Sequence, residues 1–332
     1  MDNAAAAERY LPAAREAVRR FPIEPRDLIP VWISENITFR VTDDRDGGAY
    51  VLRLHRPGYH DLGALNSERQ WTGALAATGI GAPVGLRARD GAWFVPIWIP
   101  QTGETRYAGL THWSEGERLA ELLEREDPAE APGWFRQLGA AAAGLHDQAS
   151  VWTPPAGFTR HALDAEGLMG EAPWWGRFWE SPLLSAPEKT LAAKTRPRIA
   201  AALNRLGHDR SVFGLIHADL HPGNVLVSGD RLTVIDFDDA AFGWHAYDLA
   251  VAIFHLQPEP NFALAQAALL AGYRSARALN AETEALIPMF LLIRGLFVIG
   301  WLTQRPEQDP APFLASMKTL IMDQCEVFEA PG

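Results

Sequence analysis

Two acidic side chains and an amide gather in one stretch of the sequence. Asp219 and Asn224 lie in His217-Ala218-Asp219-Leu220-His221-Pro222-Gly223-Asn224, and Asp236 heads Asp236-Phe237-Asp238-Asp239. Carboxylate and amide oxygens suit a hard divalent cation, and a further carboxylate can orient a hydroxyl and receive its proton. Phosphoryl transfer asks for this residue set, because it leaves little covalent chemistry to the protein. The competing reading is a polar turn in which Asp and Asn serve as turn formers. A turn alone does not call for a second acidic cluster at the end of the next strand.

Short β-rich runs carry these groups. Phe213-Gly214-Leu215-Ile216 precedes the first cluster, and Val225-Leu226-Val227 follows it. A Ser228-Gly229-Asp230 turn then leads into Leu232-Thr233-Val234-Ile235. Two such runs joined through a Gly-Asp turn predict a small hairpin whose ends present polar groups.

The spacing His-x-Asp-x-x-x-x-Asn, from His217 through Asp219 to Asn224, resembles a kinase catalytic loop. Asp236-Phe237-Asp238 stands where a kinase has Asp-Phe-Gly. With the later Tyr247-Asp248-Leu249-Ala250, these residues make the chain similar to the aminoglycoside phosphotransferase and choline/homoserine kinase branch of the protein-kinase-like fold. The run Asp236-Phe237-Asp238-Asp239-Ala240 also resembles the bacterial stress-response kinases that phosphorylate protein Ser/Thr. The resemblance is strongest over the second half of the chain and weaker before Trp113.

It implies an α+β fold of two lobes: a small antiparallel β-sheet lobe over residues 1–113 for the nucleotide, and a larger, mainly helical lobe over residues 114–332. It implies ATP and Mg2+, with Asp219 as the catalytic carboxylate and Asn224 and Asp236 as metal ligands. His221 takes the place of a catalytic-loop Lys near the γ-phosphoryl group, and His217 braces the loop. Asp248 corresponds to the acidic residue that accepts hydrogen bonds from the loop backbone. Asp238 and Asp239 are candidates for recognising an acceptor ammonium, for a second metal, or for supporting the loop.

On the nucleotide side, Arg53 in Val51-Leu52-Arg53-Leu54 stands where most kinases carry a phosphate-gripping Lys. A guanidinium can grip phosphate oxygens with two prongs. Glu68, on a helix predicted over 63–78, is its expected carboxylate partner. The loop that should be glycine-rich reads Ser34-Glu35-Asn36-Ile37-Thr38, with no glycine, so Ser34 and Asn36 are the expected donors to phosphate. His112-Trp113-Ser114-Glu115-Gly116 falls at the hinge, which places Trp113 beside the adenine.

Around these residues the pattern alternates between strand and helix. A helix is expected from near Pro12 to Phe21-Pro22, then strands at 31–33, 37–41, 50–54, 93–99 and 105–111, the last two joined through Gln101-Thr102-Gly103. A helix opens at Ser114-Glu115-Gly116-Glu117, and Pro128 to Pro132 break the chain. A long buried helix then ends near His146, which is read as complementing the helix dipole. Residues 150–185 hold Trp152, Trp174, Trp175 and Trp179, either an aromatic cage for a cationic acceptor or a loop-rich subdomain pinned by its tryptophans. Helices follow at 244–256, 262–276, 281–304 and 312–328. Arg294 interrupts the third of these, which is otherwise apolar nearly all round, and either meets a carboxylate or reaches the acceptor site.

Composition narrows the partners. The 332 residues are 48% hydrophobic and 21% charged, ordinary for a folded chain. A formal net charge of −11 argues against a general nucleic-acid binder and suits a cationic small hydroxyl acceptor. One cysteine, Cys325, excludes an internal disulfide framework. No membrane partner is expected, and Met1-Asp2-Asn3-Ala4 does not open a signal peptide, so a cytoplasmic chain is expected. A catalytically inactive nucleotide-binding regulator is the remaining function class.

Overall fold

Every second side chain is buried along β2 (Ile37–Asp43) and β3 (Ala49–Leu54), after α1 (Asn3–Val18) and β1 (Pro25–Ile33). That period of two is the mark of a sheet with one face turned to a core. The computed structural model describes residues 3–125, 127, 129–306 and 308–329. Met1, Asp2 and Pro128, which entered the reading of the sequence, lie outside the described residues.

After α2 (Leu62–Ala77) come β4 (Gly85–Leu86), β5 (Phe94–Ile99) and β6 (Glu104–His112). The sheet order is β1-β2-β3-β6-β4, with β5 also paired to β6, and every pairing is antiparallel. The five expected strands are present, and the two-residue β4 is an addition. Phe39, Val41, Leu52, Leu54, Ile97 and Leu110 form the core with Ala13, Ala14, Ala17 and Val18 of α1. That packing explains why α1 begins ahead of the expected start and carries Pro12 inside it. Burial of an alanine-rich face offsets the backbone hydrogen bond that proline removes.

The chain divides into two compact units. The first runs through Gly116 and also takes in Pro154–Thr159 and Leu226–Asp238. The second holds Glu117–Thr153, Arg160–Val225 and the chain from Asp239 onward. Neither is one contiguous stretch, as 1–113 and 114–332 would be. The predicted hairpin forms from Val225–Ser228 and Arg231–Val234 and belongs to the first unit from Leu226 onward. Val234 donates its N–H to the Gly81 carbonyl (2.9 Å). A Cβ on Gly81 would lie 2.6 Å from the Leu232 carbonyl oxygen, so a side chain there would push the hairpin away.

In the second unit, helix Ala131–Val151 packs against helix Phe262–Ala276 at backbone distance. A Cβ at Gly139 would fall 1.9 Å from the Leu269 carbonyl oxygen, and one at Gly272 would fall 1.8 Å from that of Arg136. Phe213–Ile216 pairs with Ala241–Trp244, which also pairs with Ala162–Leu163, in a three-stranded sheet. Helix Ile287–Thr303 is buried on nearly all sides, as its uniform apolarity predicts. The segment Ala281–Thr303 is long and apolar enough to cross a membrane by length and composition, but 72% of its most apolar window is buried inside the protein.

Helix Ala186–Leu206 was not legible in the amino-acid pattern read above. Its buried positions, Ala192, Thr195, Ile199 and Leu203, do recur at helical spacing. The Glu188 carboxylate accepts from the Ser185 N–H (2.6 Å), a capping contact that marks where the helix starts.

Candidate active site

The loop after Phe213–Ile216 turns through Ala218, whose φ of 65° lies in the left-handed region. For a residue with a Cβ this costs about 1 kcal/mol, so other groups must hold it. Asp248, fully buried on helix His245–Ile253, accepts hydrogen bonds from the backbone N–H groups of His217 (2.9 Å) and Ala218 (2.7 Å). One carboxylate thus satisfies two neighbouring amides and fixes the turn. Burial pushes the Asp248 pKa up, and the His217 charge and the two amide bonds only partly oppose it.

His146 completes this support. Its Nε2 lies 3.1 Å from Asp248 Oδ2 and its Nδ1 lies 2.9 Å from the Tyr273 hydroxyl. Burial lowers its pKa to about 3, so it is neutral. Donation from Nε2–H to Asp248 and acceptance at Nδ1 from Tyr273 satisfy both ring nitrogens. The expectation of a dipole-complementing residue at a helix end is therefore corrected: His146 is a buried link beneath the loop. His245 stacks on it at 4.3 Å between ring centroids.

Asp219 stands at the centre of the loop. Asn224 donates from Nδ2 both to the Asp219 carbonyl and to its carboxylate, each at 2.9 Å. His221 Nε2 is 3.4 Å from Asp219 Oδ2, and His221 Nδ1 accepts from the Gly223 N–H (3.0 Å). His217, fully buried, accepts from the Asp219 N–H at Nδ1 (3.2 Å). Arg294 Nη2 donates to Asp219 Oδ1, so the one charged residue in helix Ile287–Thr303 meets a carboxylate. Burial alone would raise the Asp219 pKa, but the charges of His221 and Arg294 outweigh it and hold the carboxyl well below its usual range.

The first unit assembles the other cluster. Asp236 has φ of 63°, a left-handed conformation that Asp adopts more readily than most residues. Arg53 on β3 places Nη1 2.8 Å from Asp236 Oδ1 and Nη2 3.7 Å from Asp238 Oδ2. Asp238 also accepts from Asn36 Nδ2 (2.9 Å), and its carbonyl oxygen lies 2.6 Å from His60 Nε2. Burial works to raise the Asp238 pKa, but Arg53 and His55 hold it well below the carboxylate range.

Several nucleotide-side expectations change here. Glu68 is ion-paired with its neighbour Arg69 (3.4 Å), and among the described residues no Arg53–Glu68 ion pair forms. Helix α2 buries both Glu68 and Arg69, and Glu68 acts on Arg53 by charge without pairing with it. Asn36 spends its side chain on Asp238 and on the Arg56 N–H (2.9 Å), holding the turn in place of phosphate. The Ser34 hydroxyl accepts from Trp32 Nε1 (2.9 Å). The Trp113 N–H goes to the Ala49 carbonyl (2.9 Å) and its ring lies under Arg40. His55 and His60, in the His55-Arg56-Pro57-Gly58-Tyr59-His60 run after β3, were missed. Two histidines flanking a proline-glycine turn were the only signal.

The tryptophan-rich segment favours pinning over a cage. His161 stacks on Trp174 at 3.7 Å, Arg305 lies 4.4 Å over Trp175, and Arg196 lies 4.3 Å over Trp179. The chain's own side chains cover these faces. Asp239 lies in the second unit, with its charge felt at Tyr247.

The sequence profile of the phosphotransferase enzyme family matches residues 30–279. The chain belongs to this family. A homoserine kinase of Sinorhizobium medicae is 30% identical over 307 residues, covering 86% of this chain and 83% of that protein. The structure of the microcompartment-associated aminopropanol kinase superposes with a TM-score of 0.78 at 29% identity, over 96% of this chain and 95% of the other. Amicoumacin kinase in complex with AMP-PNP and Ca2+ shares the fold, with a TM-score of 0.78 at 20% identity over 98% and 96% of the two chains. As a member of the phosphotransferase enzyme family, the chain is a kinase with an alcohol group as acceptor and has the two-lobed protein-kinase-like fold.

Proposed function

We propose that this phosphotransferase moves the γ-phosphoryl group of ATP, with Mg2+, to the hydroxyl of a small, amine-bearing alcohol. The observation that carries the reading is Asp219, a carboxylate kept ionised by Arg294 on a loop clamped by Asp248. Asp219 orients the acceptor hydroxyl and receives its proton as the new O–P bond forms and the bond to the leaving ADP breaks. A carboxyl with so low a pKa is a weak base, which suits a loose transition state in which positioning outweighs proton abstraction. His221, hydrogen-bonded through Gly223, is the side chain offered to the phosphoryl oxygens.

The donor atoms fit a hard cation. Asn224 engages its Nδ2 with Asp219, which turns the amide oxygen into its ligating end, and Asp236 presents a half-exposed carboxylate. Mg2+ keeps few protein ligands when substrate phosphates complete its coordination, and the resemblance would give Asn224 and Asp236 that role. When bound, Mg2+ neutralises charge on the triphosphate. Asp239 and the net charge of −11 favour an ammonium on the acceptor. Homoserine and aminopropanol, named in two relatives, are both small amine-bearing alcohols. A cytoplasmic location, where ATP is at hand, belongs to the same reading.

The test is release of ADP with aminopropanol, homoserine, ethanolamine and choline, each beside a casein control. Turnover with a small amine alcohol, abolished by EDTA and restored by Mg2+, is expected. Transfer to casein alone would replace the acceptor class with protein. Nucleotide binding without turnover on any hydroxyl compound would make the chain a regulator.

A further inference from the structure

We infer that Asp238 is a positioning residue for nucleotide binding: it holds Arg53 in place of Glu68, so that the other prong of Arg53 fixes Asp236. The inference rests on the kinase reading of Asp236 and assigns the cation on β3 a different carboxylate partner from the expected one.

Arg53 spans two carboxylates with its two terminal nitrogens, Nη1 to Asp236 and Nη2 to Asp238. A guanidinium is planar and rigid, so fixing one nitrogen fixes the direction of the other. Asp238 is itself anchored. Its carboxylate accepts from Asn36 on one side, His55 Nδ1 lies 3.7 Å from its other oxygen, and His60 meets its carbonyl. Phe237, between the two acids, packs edge-on against Trp71 of α2 at 5.4 Å. Among the described residues Arg53 is the side chain that anchors the carboxylate of Asp236, a residue in a left-handed conformation that requires support from its surroundings.

Glu68 pairs with Arg69, and its charge acts on Arg53 less than those of Asp236 and Asp238 do. It and Arg69 are both buried, the pair is sealed beside Phe94, and the Arg69 guanidinium lies 5.2 Å over that ring. Removing Glu68 would strand a buried cation, which is a structural role. Removing the Asp238 charge would instead free one prong of Arg53 and loosen Asp236. The substitution of glycine by aspartate after Asp236-Phe237 thereby acquires a purpose: the counter-ion sits two residues from the metal ligand.

Binding of Mg2+·AMP-PNP, measured by calorimetry, tests this through double-mutant cycles. Asp238→Asn keeps the size of the side chain and an oxygen for Asn36, and is expected to weaken binding roughly tenfold. In an Arg53→Met background the same change is expected to cost less than about twofold, because its partner is gone. The apparent Mg2+ affinity at fixed nucleotide should follow the same pattern, which a merely structural residue would not produce. Melting curves on all variants separate loss of fold from loss of binding, and Asp238→Glu should recover part of the affinity. Coupling of Arg53 to Glu68 larger than its coupling to Asp238 would overturn the inference while leaving the kinase reading intact. Additive losses for Arg53→Met and Asp238→Asn would do the same. A folded wild type that binds no nucleotide would overturn both.

Discussion

Asp219 and Asp236 are each held by an arginine, and each lies at or beside a left-handed backbone position, yet the two are supported in different ways. At the first, the strained residue is Ala218, whose methyl group can do nothing for its own backbone. Support comes from outside, through Asp248, His146 and Tyr273. At the second, the strained residue is the acid itself, and Asp tolerates this conformation. Its support is one arginine shared with Asp238. Under the proposed kinase reading, the catalytic carboxylate would sit on a backbone clamped from outside as well as beside its arginine, and the metal-binding carboxylate would be fixed through its charge.

Swapping each acid for its amide should separate the two roles. Asp219→Asn is expected to lower kcat by about 10²–10⁴ with nucleotide affinity changed little, read by ADP release and by calorimetry. Asp236→Asn should act chiefly on Mg2+-dependent nucleotide binding. If both variants lost nucleotide affinity alike, the contrast between the two acids would fail.

Arg294→Met leaves Asp219 with His221 but without its guanidinium partner. Breaking a buried pair from one side costs about 3–5 kcal/mol, and the partial exposure of Asp219 reduces that to roughly 2–4 kcal/mol. The pH dependence has a definite sign. Asp219 has a depressed pKa in the folded chain, so its pairing contributes stability above the ordinary carboxylate pKa of about 4, and that stability is lost as pH falls toward the folded value. Denaturant midpoints of wild type and Arg294→Met should therefore converge below about pH 4 and lie furthest apart near neutrality. A gap independent of pH would mean that Arg294 acts by packing alone.

The buried histidines add a further pH effect. Burial lowers His146 to about 3, His245 to about 2 and His255 to about 4. The unfolded chain takes up these protons near pH 6.5, so stability falls as pH drops below that value, by about 1 kcal/mol per histidine per pH unit. Melting temperatures from pH 7 to pH 5 should show the fall, and His146→Gln should flatten it. The smallest effect belongs to Ala218→Gly. Relief of the left-handed strain, about 1 kcal/mol, is nearly offset by the added freedom of the unfolded chain, so stability should stay within about 1 kcal/mol of wild type. A larger loss, by chemical denaturation, would show that the methyl group itself is needed.

Much of the fold was legible because its cues are local. Alternation in 37–43 and 49–54, the turn at Gly229, and the apolar run of 287–303 each report the element they sit in. Helix Ala186–Leu206 escaped because polar and charged residues interrupt its apolar face and Pro197 lies inside it, so its start was marked only by Ser185 and Glu188.

The amino-acid pattern by itself determined most of the strands and helices in their order, the catalytic-loop-like spacing from His217 to Asn224, and the chemistry available to Asp219, Asn224 and Asp236. Only the tertiary structure decided which charges meet: Arg294 with Asp219 across 75 residues, Arg53 with Asp236 and Asp238, and Glu68 with Arg69. Periodicity reports which face of an element is buried, but an ion pair depends on distances of a few ångströms between elements far apart in the chain. Those distances are set by how strands, helices and glycine contacts pack together, and no local run of residues encodes them.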